Sequence, residues 1–171
     1  MQEDIFDVVD EYDNVIDQKA RSVVHAEGLK HRAVHVLVFN EENELFMQKR
    51  SMNKDTWPGA WDASCTGHVD AGETYKEAAF RELEEELGWQ PSNELEFLFK
   101  LNPCEETGQE FIEVYRVIGS GPFRLNTEEI EIGEWMELPN LTQRVGFTPK
   151  RFSSAFRLVL ERLQALDLIS V

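Results

Sequence analysis

Several features that would assign the chain to a class are missing from it. Its two cysteines, Cys65 and Cys104, form neither a CxxC motif nor a disulfide framework. No apolar run approaches the roughly 18 residues that a membrane helix needs. The opening MQEDIFDVVDEYD has no basic segment followed by an apolar stretch, so no signal peptide is visible. We therefore expect a cytoplasmic protein of one domain, residues 1–171, with no membrane partner.

Positive charge is also scarce. The 171 residues include 17 Lys and Arg against 33 Asp and Glu, which gives a formal net charge of −16. A nucleic acid polymer is an unlikely partner for such a chain, because like charges repel. A phosphate ligand that arrives with a divalent cation is the exception. Hydrophobic residues make up 42% of the chain, which is typical of a globular protein.

The hydrophobic patterns predict an α+β chain with strands enclosing a helix and a second helix at the end. An amphipathic helix is expected over TPKRFSSAFRLVLERLQAL, with Pro149 near its first turn. A hairpin is expected from Val34 to Phe39 and from Leu45 to Gln48, and NKDTWPGAWD reads as a loop. The other predicted strands lie in IFDVVDEYDNVID, as two short strands around a turn, and in ELEFLFKL, EFIEVYRVIG and EIGEWMEL.

The strongest predicted helix covers residues 74 to 87. Thr74 is a natural N-cap, Glu77 completes a capping box, and Gly88 ends the helix. One face of this helix is apolar and should pack on the sheet. Its residues are Phe80, Leu83 and Leu87.

A second face of the same helix carries carboxylates. Glu82, Glu85 and Glu86 are spaced i, i+3, i+4 and share one stripe, whereas Glu77 and Glu84 should point into water. Carboxylates on one stripe repel each other unless a cation lies among them, and oxygen ligands of this kind suit Mg²⁺ or Mn²⁺. The alternative for the motif taken alone is a solvated acidic face.

These acids belong to a longer pattern, G-(5x)-E-(7x)-R-E-U-x-E-E-x-G-U, where U is bulky and apolar. Its fixed positions are filled by Gly67, Glu73, Arg81, Glu82, Leu83, Glu85, Glu86, Gly88 and Trp89. This pattern is the Nudix box, and it occupies residues 67–89. By this motif the chain resembles the Nudix superfamily. The resemblance implies an α/β/α sandwich with a mixed sheet along most of the chain.

The resemblance also implies roles for these residues. Glu82, Glu85 and Glu86 would hold Mg²⁺ or Mn²⁺ against a small-molecule diphosphate, with Gly67 offering its carbonyl oxygen. Arg81 would pair with Glu73 and support the loop before the helix. The usual reaction of the family is attack by water on a nucleoside diphosphate linked to another group, and members are often homodimers.

A fourth acid from outside the box often completes such a site or serves as its base. Glu113 is the first candidate, to act in catalysis with Glu85 and Glu86, and Glu110 is the second. The alternative for Glu113 is an outward-facing strand glutamate.

A narrower resemblance covers HRAVHVLVFNEENELFMQKRSMNKDTWPGAWDASCTGH, which is similar to the isopentenyl diphosphate isomerase branch of the superfamily. Isomerases of that branch build a second metal site from histidines and acids, and they protonate an alkene with a cysteine and a glutamate. His31 and His68 fall on two of those histidine positions, and His25 lies within one residue of a third. Glu113 falls near the catalytic glutamate.

Three departures favour a hydrolase over an isomerase. The position of the catalytic cysteine holds Thr66, and Cys65, one residue earlier on a strand, would face the opposite side of the sheet. The paired E-x-E of the isomerases is replaced by Phe111-Ile112-Glu113. The R-E-U-x-E-E core, which isomerases commonly lose, is intact. An isomerase and a catalytically silent, ligand-sensing Nudix domain remain the alternatives.

The same stretch supplies a possible substrate pocket made of His31, Trp57, Trp61 and His68. The tryptophans could stack a base or cover a prenyl chain. Ordinary packing is the alternative for each, and the histidines could line the pocket as hydrogen-bonding groups. His35, which alternates with valines, is expected to be structural or on the surface, and Cys65 to be a buried apolar residue.

Overall fold

The computed structural model describes residues 2–168 and begins with a small antiparallel sheet. Strands β1 (Ile5–Val9) and β2 (Val15–Ala20) form this hairpin, as the sequence predicts. A short helix that the sequence patterns did not predict, α1 (Arg21–Glu27), follows directly. It ends at Gly28, whose φ of 62° is the left-handed conformation that glycine adopts without strain.

The main sheet has seven strands in a mixed arrangement. In the order β5-β4-β3-β8-β7 the neighbours are hydrogen-bonded, β6 pairs with β3, and β9 pairs with β4. Strands β3 and β8 are parallel, whereas the other pairs are antiparallel. The strands are β3 (His31–Phe39), β4 (Glu44–Arg50), β5 (Trp61–Asp62), β6 (Cys65–His68), β7 (Glu96–Leu101), β8 (Glu110–Ile118) and β9 (Ile130–Glu137).

Helices cover both faces of this sheet. On one face, helix α2 (Tyr75–Leu87) buries Leu83 and Leu87 against valines of β3. On the other face, α3 (Leu138–Phe147) and α4 (Ser154–Ala165) pack on the alternate residues of β3 and β8. The α+β class and the predicted α/β/α sandwich with a mixed sheet are therefore confirmed.

The ends of the helices show which sequence signals were sufficient to predict a helix boundary. Thr74 accepts a hydrogen bond from the Glu77 amide at 3.1 Å, Glu77 accepts one from the Thr74 amide at 3.1 Å, and Gly88 ends α2 at φ 57°. The prediction for the last helix was wrong about its start. Pro149 begins a separate 3-10 helix (Pro149–Arg151), and α4 starts at Ser154, because the Ser153 hydroxyl caps it by accepting from the Phe156 amide.

The sheet opens beside β3. Strand β4 pairs with β3 only at Phe39 and Leu45, and β6 pairs along the other half of β3, from Ala33 with His68 to Val36 with Cys65. The two strands β4 and β6 therefore diverge on the same side of β3. Glu86 of α2 contacts both strands where they diverge, at the Thr66 amide of β6 and at Gln48 of β4.

Candidate functional site

A cleft of about 1210 Å³ lies on the face of the sheet opposite α2. His31, Ala33 and His35 of β3 form part of its floor, together with Thr66 and His68 of β6. Its walls come from α1, from the loop between β4 and β5, from the loop before β8 and from the first turn of α4. The acids of the Nudix box line one end of this cleft.

The three acids of the stripe on α2 have different environments. Glu86 is only 5% exposed, and its Oε1 accepts hydrogen bonds from the Thr66 amide at 2.9 Å and from Gln48 Nε2 at 3.3 Å. The side chain of Glu82 is largely buried, whereas that of Glu85 is 56% exposed. Glu77 and Glu84 are exposed, as the helical spacing predicts.

The surroundings of Glu82 and Glu86 disfavour the ionised form of both carboxyls. Burial is the first cause that raises the pKa of Glu82 above the ordinary value of 4.5, and the charge of Glu86 is the second. Burial also raises the pKa of Glu86, although the Thr66 amide opposes the rise. Two neighbouring buried carboxyls must either keep their protons or bind a cation. A pair of this kind is therefore suited to hold a metal ion.

Gly67 leaves space at the same place. A Cβ at position 67 would lie 2.1 Å from Cδ of Glu82, so no larger residue fits without moving that carboxylate. The backbone of β6 at Gly67 and the carboxylate of Glu82 are therefore close enough to bind the same ion. This close approach and the oxygen-only donor set fit a hard divalent cation.

Arg81 ties the loop before α2 to the acids. Its Nε and Nη2 donate to the two carboxylate oxygens of Glu73 at 2.8 and 3.0 Å, and Nη2 also donates to the His68 carbonyl at 2.9 Å. Its Nη1 donates to Glu82 at 2.8 Å and to Glu85 at 3.1 Å. The pair between Arg81 and Glu73 that the family resemblance implies is present in the structure.

Among acids outside the box, Glu129 and the second candidate, Glu110, line the cleft, whereas the first candidate, Glu113, does not. Glu129 precedes β9, lines the cleft, forms an ion pair with Lys54 and acts to raise the pKa of Glu86. Glu113 is not among the lining residues. It accepts a hydrogen bond from the Tyr115 hydroxyl and lies 3.8 Å from Lys100 Nζ. Strand alternation could not reveal Glu129, because it lies in a loop.

Three histidines meet in the same cleft. Each of His25, His31 and His68 offers a ring nitrogen, and these atoms lie within 4.8 Å of one another. Glu110 Oε2 lies 3.0 Å from His68 Nε2 and 3.5 Å from His31 Nε2. Burial alone would raise the pKa of Glu110, but His68 and His31 lower it well below its usual range.

The orientation of the His31 ring is fixed by its other nitrogen. Nδ1 lies 2.8 Å from the Leu29 carbonyl oxygen, which can only accept, so Nδ1 carries the proton. Nε2 faces Glu110 and is buried without a close hydrogen-bond partner among the described residues. The ring of Phe6 in β1 stacks on His31 and His68 at centroid distances of 5.7 and 4.7 Å. This arrangement is typical of an imidazole held ready as a metal ligand.

Partial burial and the neighbouring His68 lower the pKa of His25 to about 4. Its neutral ring is therefore also available as a ligand at physiological pH. His25 comes from α1, the helix that sequence patterns did not predict, so its approach to His31 and His68 could not be inferred from periodicity.

The two predicted pocket tryptophans separate. Trp57 lines the cleft, is 37% exposed, has a positive φ of 49° and carries the Arg157 guanidinium 5.5 Å from its ring centroid. Trp61 is buried in the core beneath α4 and is not among the lining residues. Of the four predicted pocket residues, the cleft contains His31, His68 and Trp57.

Cys65 and Thr66 lie on opposite faces, as strand alternation predicts. Thr66 lines the cleft, whereas Cys65 is fully buried against α2. Burial and the nearby Glu86 raise the pKa of the Cys65 thiol well above its ordinary value. The sulfur therefore has neither the position nor the acidity of a proton donor within this cleft.

Comparison with known proteins places these features in a family. The NUDIX domain model matches residues 29–156. An uncharacterized Nudix hydrolase of Yersinia pestis is 37% identical over 84% of this chain and 79% of its own length. A protein of Serratia proteamaculans named isopentenyl-diphosphate Delta-isomerase is 30% identical over 94% of this chain and 92% of its own.

Among solved structures, the Deinococcus radiodurans protein DR0079 superposes with a TM-score of 0.74 and 31% identity, and the match covers 83% of this chain and 88% of that one. The fold, the family model and the relatives agree with the geometry of the α2 acids. The chain belongs to the Nudix hydrolase family, whose enzymes are pyrophosphohydrolases that act on acid anhydrides.

Proposed function

We propose that the protein is a Mg²⁺-dependent hydrolase that cleaves a phosphoanhydride bond in a nucleoside diphosphate derivative or a related diphosphate. The observation that carries the proposal is the pair of buried carboxyls, Glu82 and Glu86, beside the closely approaching backbone of Gly67. Glu82, Glu85, Glu86 and the Gly67 carbonyl are the groups that would hold the ion, and Mn²⁺ would serve in its place. When bound, the ion neutralises phosphate oxygens and makes a water molecule more acidic.

The other residues of this end of the cleft position the acids. Arg81 spans Glu73, Glu82 and Glu85, and it holds the β6 backbone through the His68 carbonyl. Lys54 pairs with Glu129, and both charges act on Glu86. We assign Glu129 the role of the outside acid that accepts a proton from the attacking water, in place of Glu113.

A matched pair of variants tests this assignment. Glu129→Gln should lower kcat by roughly 100-fold or more, within the range that a general base contributes. Glu113→Gln should change kcat by less than about threefold, since its side chain lies outside the cleft. The reverse ranking of the two variants would return the role to Glu113.

We further propose that His25, His31, His68 and Glu110 hold a second metal ion. Three imidazole nitrogens and one carboxylate are a donor set that suits Zn²⁺ or Mn²⁺ better than Mg²⁺. The buried Nε2 of His31, which has no close hydrogen-bond partner among the described residues, supports this proposal, because a buried polar atom needs a partner. Equilibrium dialysis with Zn²⁺ should show that His31→Ala loses this ion while the Mg²⁺ affinity of the α2 acids is retained. Equal Zn²⁺ binding by wild type and His31→Ala would refute the second site.

An isomerase is the second candidate, favoured by the similarity to the Serratia protein. The burial of Cys65 on the far side of the sheet and the intact box at α2 both weigh against it. Phosphate release with Mg²⁺, measured on a panel of nucleoside and prenyl diphosphates beside isomer exchange, tests hydrolysis against isomerisation.

A further inference from the structure

Two buried polar residues of the cleft are used neither by the acids of α2 nor by the three histidines. His35 of β3 is 5% exposed and Asp62 of β5 is 4% exposed, yet both line the cleft. The charge of Asp62 acts to raise the pKa of His35, against the larger lowering effect of burial. The cleft therefore contains a polar patch made of His35 and Asp62.

The hydrogen bonds of this patch are incomplete. Nδ1 of His35 is buried and has no partner within residues 2–168. Asp62 Oδ1 accepts from the amide of Ala63 at 2.8 Å, but Oδ2 has a weak contact with Arg50 Nη1 at 3.5 Å. The better hydrogen bonds of Arg50 go to Thr56, at 3.0 Å from Nε to the carbonyl and 3.3 Å from Nη2 to the hydroxyl. Buried polar atoms are nearly always satisfied, so Nδ1 of His35 lacks a partner that a ligand can supply. Asp62 Oδ2 is held only by the long ion pair with Arg50 and can accept a further hydrogen bond.

The patch is placed to meet whatever is attached to a diphosphate. His35 pairs across the sheet with Thr66, so their side chains share the face of the cleft. The amide of Thr66 is the group that binds Glu86. A substituent of a diphosphate held at Glu86 therefore reaches His35 within about one strand spacing, roughly 5 Å. The cleft volume of about 1210 Å³ leaves ample room for that substituent.

The chemistry of the patch selects among substituents. Burial lowers the pKa of His35, so its ring is neutral and can both donate and accept hydrogen bonds. The carboxylate of Asp62 accepts hydrogen bonds and repels further phosphates. A prenyl chain would leave Nδ1 of His35 without a partner and add nothing to the contacts of Asp62, whereas hydroxyl groups can hydrogen-bond to both residues.

We propose that His35 and Asp62 are specificity-determining residues that bind hydroxyl groups on the non-phosphate part of the substrate, such as those of a sugar. The inference rests on the proposed function for the position of the diphosphate. It goes further in assigning the selection against apolar substituents to these two side chains.

The experiment compares three probes, ADP-ribose, UDP-glucose and isopentenyl diphosphate, on wild type, His35→Leu and His35→Asn. Wild type should have a kcat/KM for at least one sugar-bearing probe that exceeds that for isopentenyl diphosphate by at least about tenfold. His35→Leu should raise KM for that probe by about tenfold with little change in kcat, and should not raise KM for isopentenyl diphosphate. His35→Asn, which retains hydrogen-bonding groups, should restore most of the selectivity. Asp62→Asn should raise the KM for the sugar-bearing probe and leave the KM for isopentenyl diphosphate unchanged.

Binding of the same probes in Ca²⁺, measured by calorimetry, separates this inference from the proposed function. If no probe is hydrolysed, the proposed function fails, but a sugar-bearing probe should still bind more tightly than isopentenyl diphosphate and lose about tenfold affinity in His35→Leu. The inference is overturned if wild type prefers isopentenyl diphosphate, if no sugar-bearing probe binds, or if His35→Leu leaves the preference unchanged. Thermal melts of each variant exclude loss of the fold as the cause.

Discussion

At the scale of single residues, Glu86 has the most demanding environment of the three acids on the α2 stripe. Glu86→Gln keeps the shape of the side chain and removes a buried charge. We expect kcat to fall by roughly 100-fold or more, because the ion loses a ligand. Above about pH 7, where the wild-type Glu86 loses its proton, the melting temperature of the metal-free variant should exceed that of wild type, since a buried charge costs free energy. Glu84→Gln, at an exposed position on the same helix, is the control and should change neither quantity.

The raised pKa values of Glu82 and Glu86 also predict how stability depends on pH. In the metal-free folded state these carboxyls keep protons that the unfolded chain releases near the ordinary value of 4.5. Above that pH the folded state binds more protons than the unfolded state, so the free energy of unfolding falls as the pH rises. Saturating Mg²⁺ should remove the fall. Melting temperatures with chelator and with Mg²⁺, from about pH 5 to about pH 8.5, measure it. A rise in metal-free stability over that range would contradict the burial of these charges.

The residue scale also shows which site residues a sequence can reveal. The spacing of Glu82, Glu85 and Glu86 on a capped helix needs only the geometry of one element. Glu129 could not be predicted in this way, because a loop brings it beside Glu86 through tertiary packing. Strand alternation placed Cys65 and Thr66 on opposite faces, yet it could not show that His35, among valines, lines a cleft.

At the scale of elements, Arg81 joins the loop before α2 to the helix. Arg81→Ala removes two of the hydrogen bonds that Glu73 accepts, leaving the one from the Asp70 amide, and removes the positive charge beside Glu82. We expect the free energy of unfolding to fall by about 2 kcal/mol, in addition to lost activity. Arg81→Lys should recover part of the stability but not the two-pronged contact with Glu73. Urea unfolding of the two variants measures this difference, and an unchanged midpoint in Arg81→Ala would refute the supporting role.

Asp13 attaches the N-terminal hairpin to the main sheet and to α2. Its carboxylate accepts from Arg32 Nε at 2.7 Å, from the Tyr75 hydroxyl at 2.7 Å and from Lys100 Nζ at 2.6 Å. Asp13→Asn should loosen β1 and β2 and thereby weaken Zn²⁺ binding at the histidines, because β1 carries Phe6 against their rings.

Hydrogen exchange of the β1 and β2 amides and Zn²⁺ affinity measure this effect. Asp17→Asn, on the exposed face of the same hairpin, is the matched control and should change neither. Unchanged exchange and affinity in Asp13→Asn would show that the hairpin is held by other contacts.

Element boundaries followed the local signals where those signals were complete. The capping box at Thr74 and the glycine at position 88 fixed α2 correctly. Pro149 was a misleading signal, because a proline suits the first turn of a 3-10 helix as well as that of an α-helix. Helix α1 has seven residues, too few for a clear apolar period, and it is stabilised by packing Val24 under the N-terminal hairpin.

At the scale of the whole molecule, many of the excess acidic side chains are exposed to water, whereas others line one cleft. The chain has a formal net charge of −16, yet Glu82 and Glu86 are buried together rather than solvated. No helix within residues 2–168 is long and apolar enough to span a membrane. The sheet brings two donor sets, the carboxylates of α2 and the histidines with Glu110, to one cleft. Their residues come from α1, β3, β6, α2 and β8, so no single segment of the sequence revealed the whole arrangement.

The central claim, that the α2 acids serve a cation that promotes hydrolysis, is tested most directly by one assay in heavy water. Wild type and Cys65→Ala are incubated with ADP-ribose, UDP-glucose and isopentenyl diphosphate, in Mg²⁺ and in excess chelator. Phosphate-ester products and deuterium incorporation are measured together. We predict that a diphosphate is hydrolysed only with Mg²⁺, that Cys65→Ala retains this activity, and that isopentenyl diphosphate gains no deuterium. Full turnover in chelator, or deuterium incorporation in wild type that disappears in Cys65→Ala, would contradict the account.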